Sequence, residues 1–112
     1  MTPSDLTRHL VLEAPERVPD GLGGHGRAWA VLGSHWASIR PSRGRHQSRG
    51  DVAVSGVPAE IIVRGAPVGA VSRPEPGQRF REGPRIWRVV AVTEADAAGR
   101  YLRCDAVEET AA

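Results

Sequence analysis

The chain has 112 residues, a formal net charge of +2 and one cysteine, which predicts a single domain, residues 1–112, whose one modest core hides roughly two-thirds of the unfolded surface. No apolar run approaches the roughly 20 residues that span a bilayer, so no membrane partner is expected. The start, Met1-Thr2-Pro3-Ser4-Asp5, lacks the basic-then-apolar order of a signal peptide, and the lone Cys104 fits a reducing compartment.

Leu6 to Glu13 alternates, with Leu6, Leu10 and Leu12 on one face, and reads as a first strand. Pro15 and Pro19 break it, and Gly21-Leu22-Gly23-Gly24-His25-Gly26 is a flexible turn, so residues 14–26 are expected to form a long loop. A long strand follows from about Arg27 to Arg40 and holds two of the three tryptophans, Trp29 and Trp36. A second long loop, 41–56, contains Pro41-Ser42-Arg43-Gly44-Arg45-His46-Gln47-Ser48-Arg49-Gly50, with weakly β-like residues at its end. Ala59-Glu60-Ile61-Ile62-Val63-Arg64 is a β-branched strand, and 65–76 is a proline- and glycine-rich third loop. Short strands at Gly77–Arg81, Ile86–Val92 and Arg100–Val107 complete the set, with turns at 82–85 and 96–99 and a frayed tail at 108–112. About six strands without helical periodicity predict an all-β fold, a small antiparallel β-barrel or sandwich with long loops. Loops of this length in so small a domain are usually functional or disordered, and in an assembly subunit they would be the parts that order against neighbours.

All fifteen cations are arginine and none is lysine. A GC-rich genome produces that bias; so does bidentate recognition of carboxylates or phosphates, which arginine performs better than lysine. Arg40, Arg43, Arg45 and Arg49 crowd ten residues that hold no acid and no large apolar group, while Asp105, Glu108 and Glu109 gather at the other end of the chain. The arginine segment reads either as a solvated loop or as a sequence-blind, salt-sensitive phosphate contact, to which His46 would add charge at low pH. No aromatic residue is interleaved, so the contact would be with backbone rather than bases.

Other motifs carry no chemistry. Gly21-x-Gly23-x-x-Gly26 has the dinucleotide-binding spelling but follows prolines and precedes a strand, so no cofactor is expected. His9, His25, His35, His46 and Cys104 show no metal-ligand spacing, and His35, beside Trp36, is expected on the surface or at an interface. No serine stands in a nucleophile elbow, so no catalytic residue is assigned and the chain is not expected to be an enzyme.

Several motifs occur in order: Leu6-Thr7-Arg8-His9-Leu10; Asp20-Gly21, Gly23-Gly24 and Trp29; Trp36-Ala37-Ser38-Ile39-Arg40-Pro41 with Ser42-Arg43-Gly44-Arg45; Ile61-Ile62-Val63-Arg64; Pro76-Gly77-Gln78-Arg79-Phe80; and Ile86–Val92 with Tyr101–Glu109. Together they resemble the phage head–tail joining proteins, also called head-closure, stopper or adaptor proteins, of tailed phages and gene transfer particles. The chain departs from the pattern at His46-Gln47 and at Gln78, where the family often has an acid. The resemblance implies a small β-barrel subunit of a ring, six or twelve copies, in the particle neck. The ring would sit between a portal or adaptor protein and a tail terminator or tail protein, assemble in the bacterial cytoplasm and help close the channel on packaged double-stranded DNA. It makes Arg40, Arg43, Arg45, His46 and Arg49 candidates for a lumen loop. Trp29, Trp36, Arg64, Arg79, Asp105, Glu108 and Glu109 become candidates for contacts with neighbouring subunits or rings. The reading from another class is a monomeric SH3- or OB-like nucleic-acid-binding module, against which the near-balanced charge and only five aromatic residues count.

Overall fold

The computed structural model describes residues 5–19, 25–42 and 56–109. Six strands make one antiparallel sheet: β1 Arg8–Pro19, β2 His25–Pro41, β3 Gly56–Arg64, β4 Arg79–Glu82, β5 Arg85–Glu94 and β6 Tyr101–Glu109. The sheet closes on itself in the order β1-β2-β3-β6-β5-β4. The all-β class expected from the sequence is the fold, and of the barrel or sandwich expected it is the barrel.

Alternation decides which side chains fill it. Leu10 and Leu12 of β1, Ile61 and Val63 of β3, Phe80 of β4, Trp87 and Val89 of β5, and Leu102 and Cys104 of β6 point inward and form one cluster. A bulge between Val89 and Ala91 shifts the phase of β5 and brings Val92 against that core. Leu6 does not join it. It packs with Ile62 and Tyr101 in a second cluster, because Ile62 lies on the opposite side of β3 from Ile61 and Val63. Burial pushes the Cys104 thiol up to about 12, so this cysteine behaves as a small core hydrophobe.

The two ends of the barrel differ. One mouth is ringed by Arg8, Pro41, Gly56, the β4–β5 turn and Glu109, and the segment 43–55 leaves and returns there. That turn is Gly83–Pro84 between the paired Glu82 and Arg85, and Gly83 takes φ +59°, which a residue with a Cβ resists. The other end is covered by the 65–78 segment, a run of turns that includes the loop expected at 65–76 and also takes in Gly77 and Gln78, which were expected in β4; its Pro74 is fully buried. Arg73 fastens it by donating to the Ala66 carbonyl at 2.9 Å.

Two further boundaries and one side-chain placement differ from the sequence reading. Residues 14–19 are not loop: β1 runs on to Pro19 and pairs with β2 over Ala14↔Ala30 to Pro19↔His25. Pro15 and Pro19 stand four residues apart, so both donor-less nitrogens point to one edge of β1, the edge that no described strand pairs beyond Glu13. The result is a two-stranded arm that continues the barrel wall by about 20 Å, at 3.4 Å per residue. Glu108 and Glu109 are not frayed; they pair with Val57 and Gly56, because β3 starts three residues before the β-branched run. His35 is half-buried rather than on the surface. It faces inward, edge-on to Phe80 at 6.0 Å, and its ring is hydrogen-bonded to the backbone of Ser72 in the covering segment. Burial lowers its pKa against that hydrogen bond, so His35 subtracts stability as pH falls below 6.5.

Candidate functional site

Arginine–carboxylate pairs staple four of the six seams of the barrel. Arg40 reaches Glu60 at 2.6 Å across β2–β3, and Arg103 reaches the same carboxylate at 3.7 Å across β3–β6. Arg85 holds Glu108 through two hydrogen bonds, 2.7 and 3.0 Å, across β5–β6. At the mouth Arg8 holds Glu82 through two more, 3.0 and 2.6 Å. These bidentate forks are the geometry lysine cannot supply. The hydrogen bonds from Arg8 and Arg85 also hold Glu82 and Glu108 below the usual carboxylate pKa, against the opposing effect of burial.

The least exposed of these pairs closes the barrel. β4 has four residues and meets β1 over only three pairs, Val11↔Arg81, Leu12↔Phe80 and Glu13↔Arg79. Glu13 stands between two guanidiniums there, accepting from Arg79 at 2.7 Å and Arg81 at 2.9 Å, with only 4% of its surface exposed. Burial by itself would raise its pKa; the two hydrogen bonds together outweigh that and hold it low. Arg79 also lies 4.0 Å over the Trp29 ring, so one side chain joins the seam to the arm.

The residues singled out in the sequence divide accordingly. Arg40 is the last residue but one of β2, at the open mouth, where it lines a cavity of about 290 Å³ with Arg8, Arg85, Trp87, Val57 and Glu108. Arg43, Arg45, His46 and Arg49 lie outside the described residues, in the segment rooted at that mouth. Trp36 is on the outer wall, 56% exposed and tilted against His9 at 4.9 Å. Trp29 is half-buried under Arg79, and Arg79 is tied to Glu13. Asp105 and Arg103 lie 3.8 Å apart, as do Glu109 and Arg88. The acidic end of the chain is thus engaged with arginines of its own subunit. Among the described residues Arg64 and Arg100 take part in no ion pair; both are exposed, where β3 ends and β6 begins.

The sequence reading missed Glu13, Arg81, Arg8, Glu82 and Arg85. Glu13 falls on the outward phase of a strand, where a carboxylate ordinarily meets solvent. Only the approach of β4, 66 residues later, buries it. Among the described residues no three potential metal ligands converge.

A family model described as phage head completion protein matches residues 1–109 of this chain. A chain in a structure entitled virion of native gene transfer agent (GTA) particle is 50% identical to it; the alignment covers 96% of this chain and 97% of that one, with a TM-score of 0.76. Protein SF1141 from Shigella flexneri 2a, in a solution structure, matches with a TM-score of 0.65 over 96% of both chains. At 18% identity that likeness concerns the fold alone. No curated protein matches the chain.

Proposed function

The chain belongs to the phage head completion protein family, and we propose from this that it is a structural, non-catalytic subunit of a phage or phage-like particle, acting where the DNA-filled head meets the tail. The observation that carries the reading is the 50% identity, over nearly the whole of both chains, to a component of a gene transfer agent virion. The nucleic-acid-module reading is not favoured. Such a module stacks bases on several exposed rings, whereas Trp36 is the one aromatic residue of the five that is more than half exposed.

In the finer reading, copies form a closed ring of six or twelve in the neck, beneath a portal or adaptor and above a tail protein. Two features of the barrel support it. The strands that flank the arginine-rich segment, β2 and β3, end and begin at one mouth, and the β1–β2 arm projects from the opposite end. The ion pairs that staple the seams make the barrel a rigid support for both. Arginines repeated around a pore would form an anion collar for the DNA backbone, because fields of like charges add across a low-dielectric annulus.

Light scattering at moderate salt tests the assembly. The protein alone is expected at 12.0 kDa, and on mixing with purified portal–adaptor complex it is expected to add in a fixed multiple that gives the ring number. A protein that ignores the complex but shifts with duplex DNA would overturn the reading. The loop is tested separately. Arg43→Ser, Arg45→Ser and Arg49→Ser together are expected to leave assembly normal while packaged DNA leaks from particles, measured as nuclease-sensitive DNA. Unchanged DNA retention would remove the lumen role from this segment.

A further inference from the structure

We propose that neighbouring copies join by strand addition, the outer edge of β2 over His25–Val31 on one copy pairing with the outer edge of β5 over Val90–Glu94 on the next. This rests on the ring reading above and specifies its contact.

Among the described residues both edges are open. β3 pairs with β2 only from Ala37 to Pro41, which leaves His25–Trp36 without a neighbour on that side. β4 pairs with β5 only from Arg85 to Arg88, and Gly77 and Gln78 extend that ladder as far as Val89. Among the described residues no backbone hydrogen bond reaches the outer edge of either stretch beyond these. An unpaired strand edge is a template for another chain, and proteins that do not use one usually block it. This chain blocks the free edge of β1 with Pro15 and Pro19, whereas His25–Val31 and Val90–Glu94 contain no proline. The bulge opposite Leu12 and Glu13 ends the usable part of β2 just past Val31. Seven residues on one side and five on the other are comparable ladders.

The position of the edges supports a ring in particular. In the closed order β1-β2-β3-β6-β5-β4, β2 and β5 stand three strands apart, on opposite walls of the barrel. A contact between two different surfaces on opposite walls is heterologous, and it closes into a ring when the rotation from copy to copy divides a full turn. Charge and apolar surface also match. The β2 stretch holds His25 and Arg27 and no acid. The β5 stretch ends in Glu94, which is exposed and in no ion pair among the described residues. Val31 and Val90, 63% and 49% exposed, would be covered on pairing.

The test uses complete particles carrying Val31→Cys and Val90→Cys in the same chain, treated with a short thiol-to-thiol cross-linker. The native Cys104 is fully buried, so wild-type particles serve as the unreactive control. The expected result is a covalent ladder reaching the whole ring, with each single variant giving monomer alone. Particles that contain the normal amount of the protein but give no ladder would overturn the edge pairing and leave the ring reading standing. Dimers from Val31→Cys alone would also overturn it, because they would mean two β2 edges meeting. If wild-type protein never enters particles, the function itself fails and the pairing falls with it. As a second readout, Glu94→Arg is expected to reduce incorporation into particles about tenfold without lowering the melting temperature of the free monomer, since like charges would then face each other. Undiminished incorporation would count against the contact.

Discussion

Trp87→Ala is expected to lower the stability of the isolated subunit by about 4 kcal/mol, the middle of the range for deleting a buried large aromatic side chain. Trp87 is the largest fully buried side chain of the barrel. It pairs across the sheet with Phe80 on β4 and Glu108 on β6, so its removal loosens two seams at once. It also carries the Arg85 guanidinium 4.8 Å above its ring. Small domains are held by only about 5–15 kcal/mol in total, so the variant should sit near the threshold of folding. The measurement is urea unfolding. With a slope of about 2 kcal/mol per molar, the midpoint should fall by about 2 M at unchanged slope. Trp87→Phe keeps most of the apolar volume and should lose about half as much. A midpoint shift below about 0.5 M for Trp87→Ala would mean that the open mouth beside it collapses to fill the space.

Glu13→Gln is expected to cost about 3 kcal/mol, the low end for removing one partner of a buried ion pair. The low end applies because Arg79 and Arg81 keep 17% and 35% of their side-chain surface exposed, so water partly screens the cations left behind. At about 4 °C per kcal/mol for a domain of this size, the melting temperature should fall by about 12 °C. Most of that loss is an uncompensated pair of guanidiniums. Replacing Glu13, Arg79 and Arg81 together by Met should therefore be milder than Glu13→Gln alone. The pH dependence gives an independent check. The folded-state pKa of Glu13 lies below its ordinary value of 4.5, so its contribution is complete above 4.5 and is lost as pH falls through the depressed value. Wild type should therefore lose stability on acidification more steeply than Glu13→Gln, and the two melting temperatures should converge at low pH. Parallel curves would show that Glu13 contributes through its shape rather than its charge.

These two residues show how legibility divides. Trp87 sits in Ile86-Trp87-Arg88-Val89, an alternating strand between turn signals, and its inward phase follows from the period of two. Glu13 continues the alternation of Leu10 and Leu12 in the outward phase, and nothing within ten residues marks it as buried.

Local periodicity and turn chemistry determined the all-β class, the approximate span of β3 to β6 and the Gly83–Pro84 turn, because strand phase and turn geometry depend on neighbours in the chain. The order of motifs from Leu6 to Glu109 determined the family. Only the tertiary structure decided the rest. The closure of β1 on β4, the burial of Glu13 between Arg79 and Arg81, the inward turn of His35 and the arm that carries Pro15 all depend on pairings or register shifts that no local pattern records. The same holds for the arginines. Their abundance was plain in the sequence, but whether a guanidinium meets solvent, DNA or a carboxylate of its own barrel depends on which strand lies beside it. For Arg8, Arg79 and Arg81 that strand is distant in the chain and is reached only when the sheet closes.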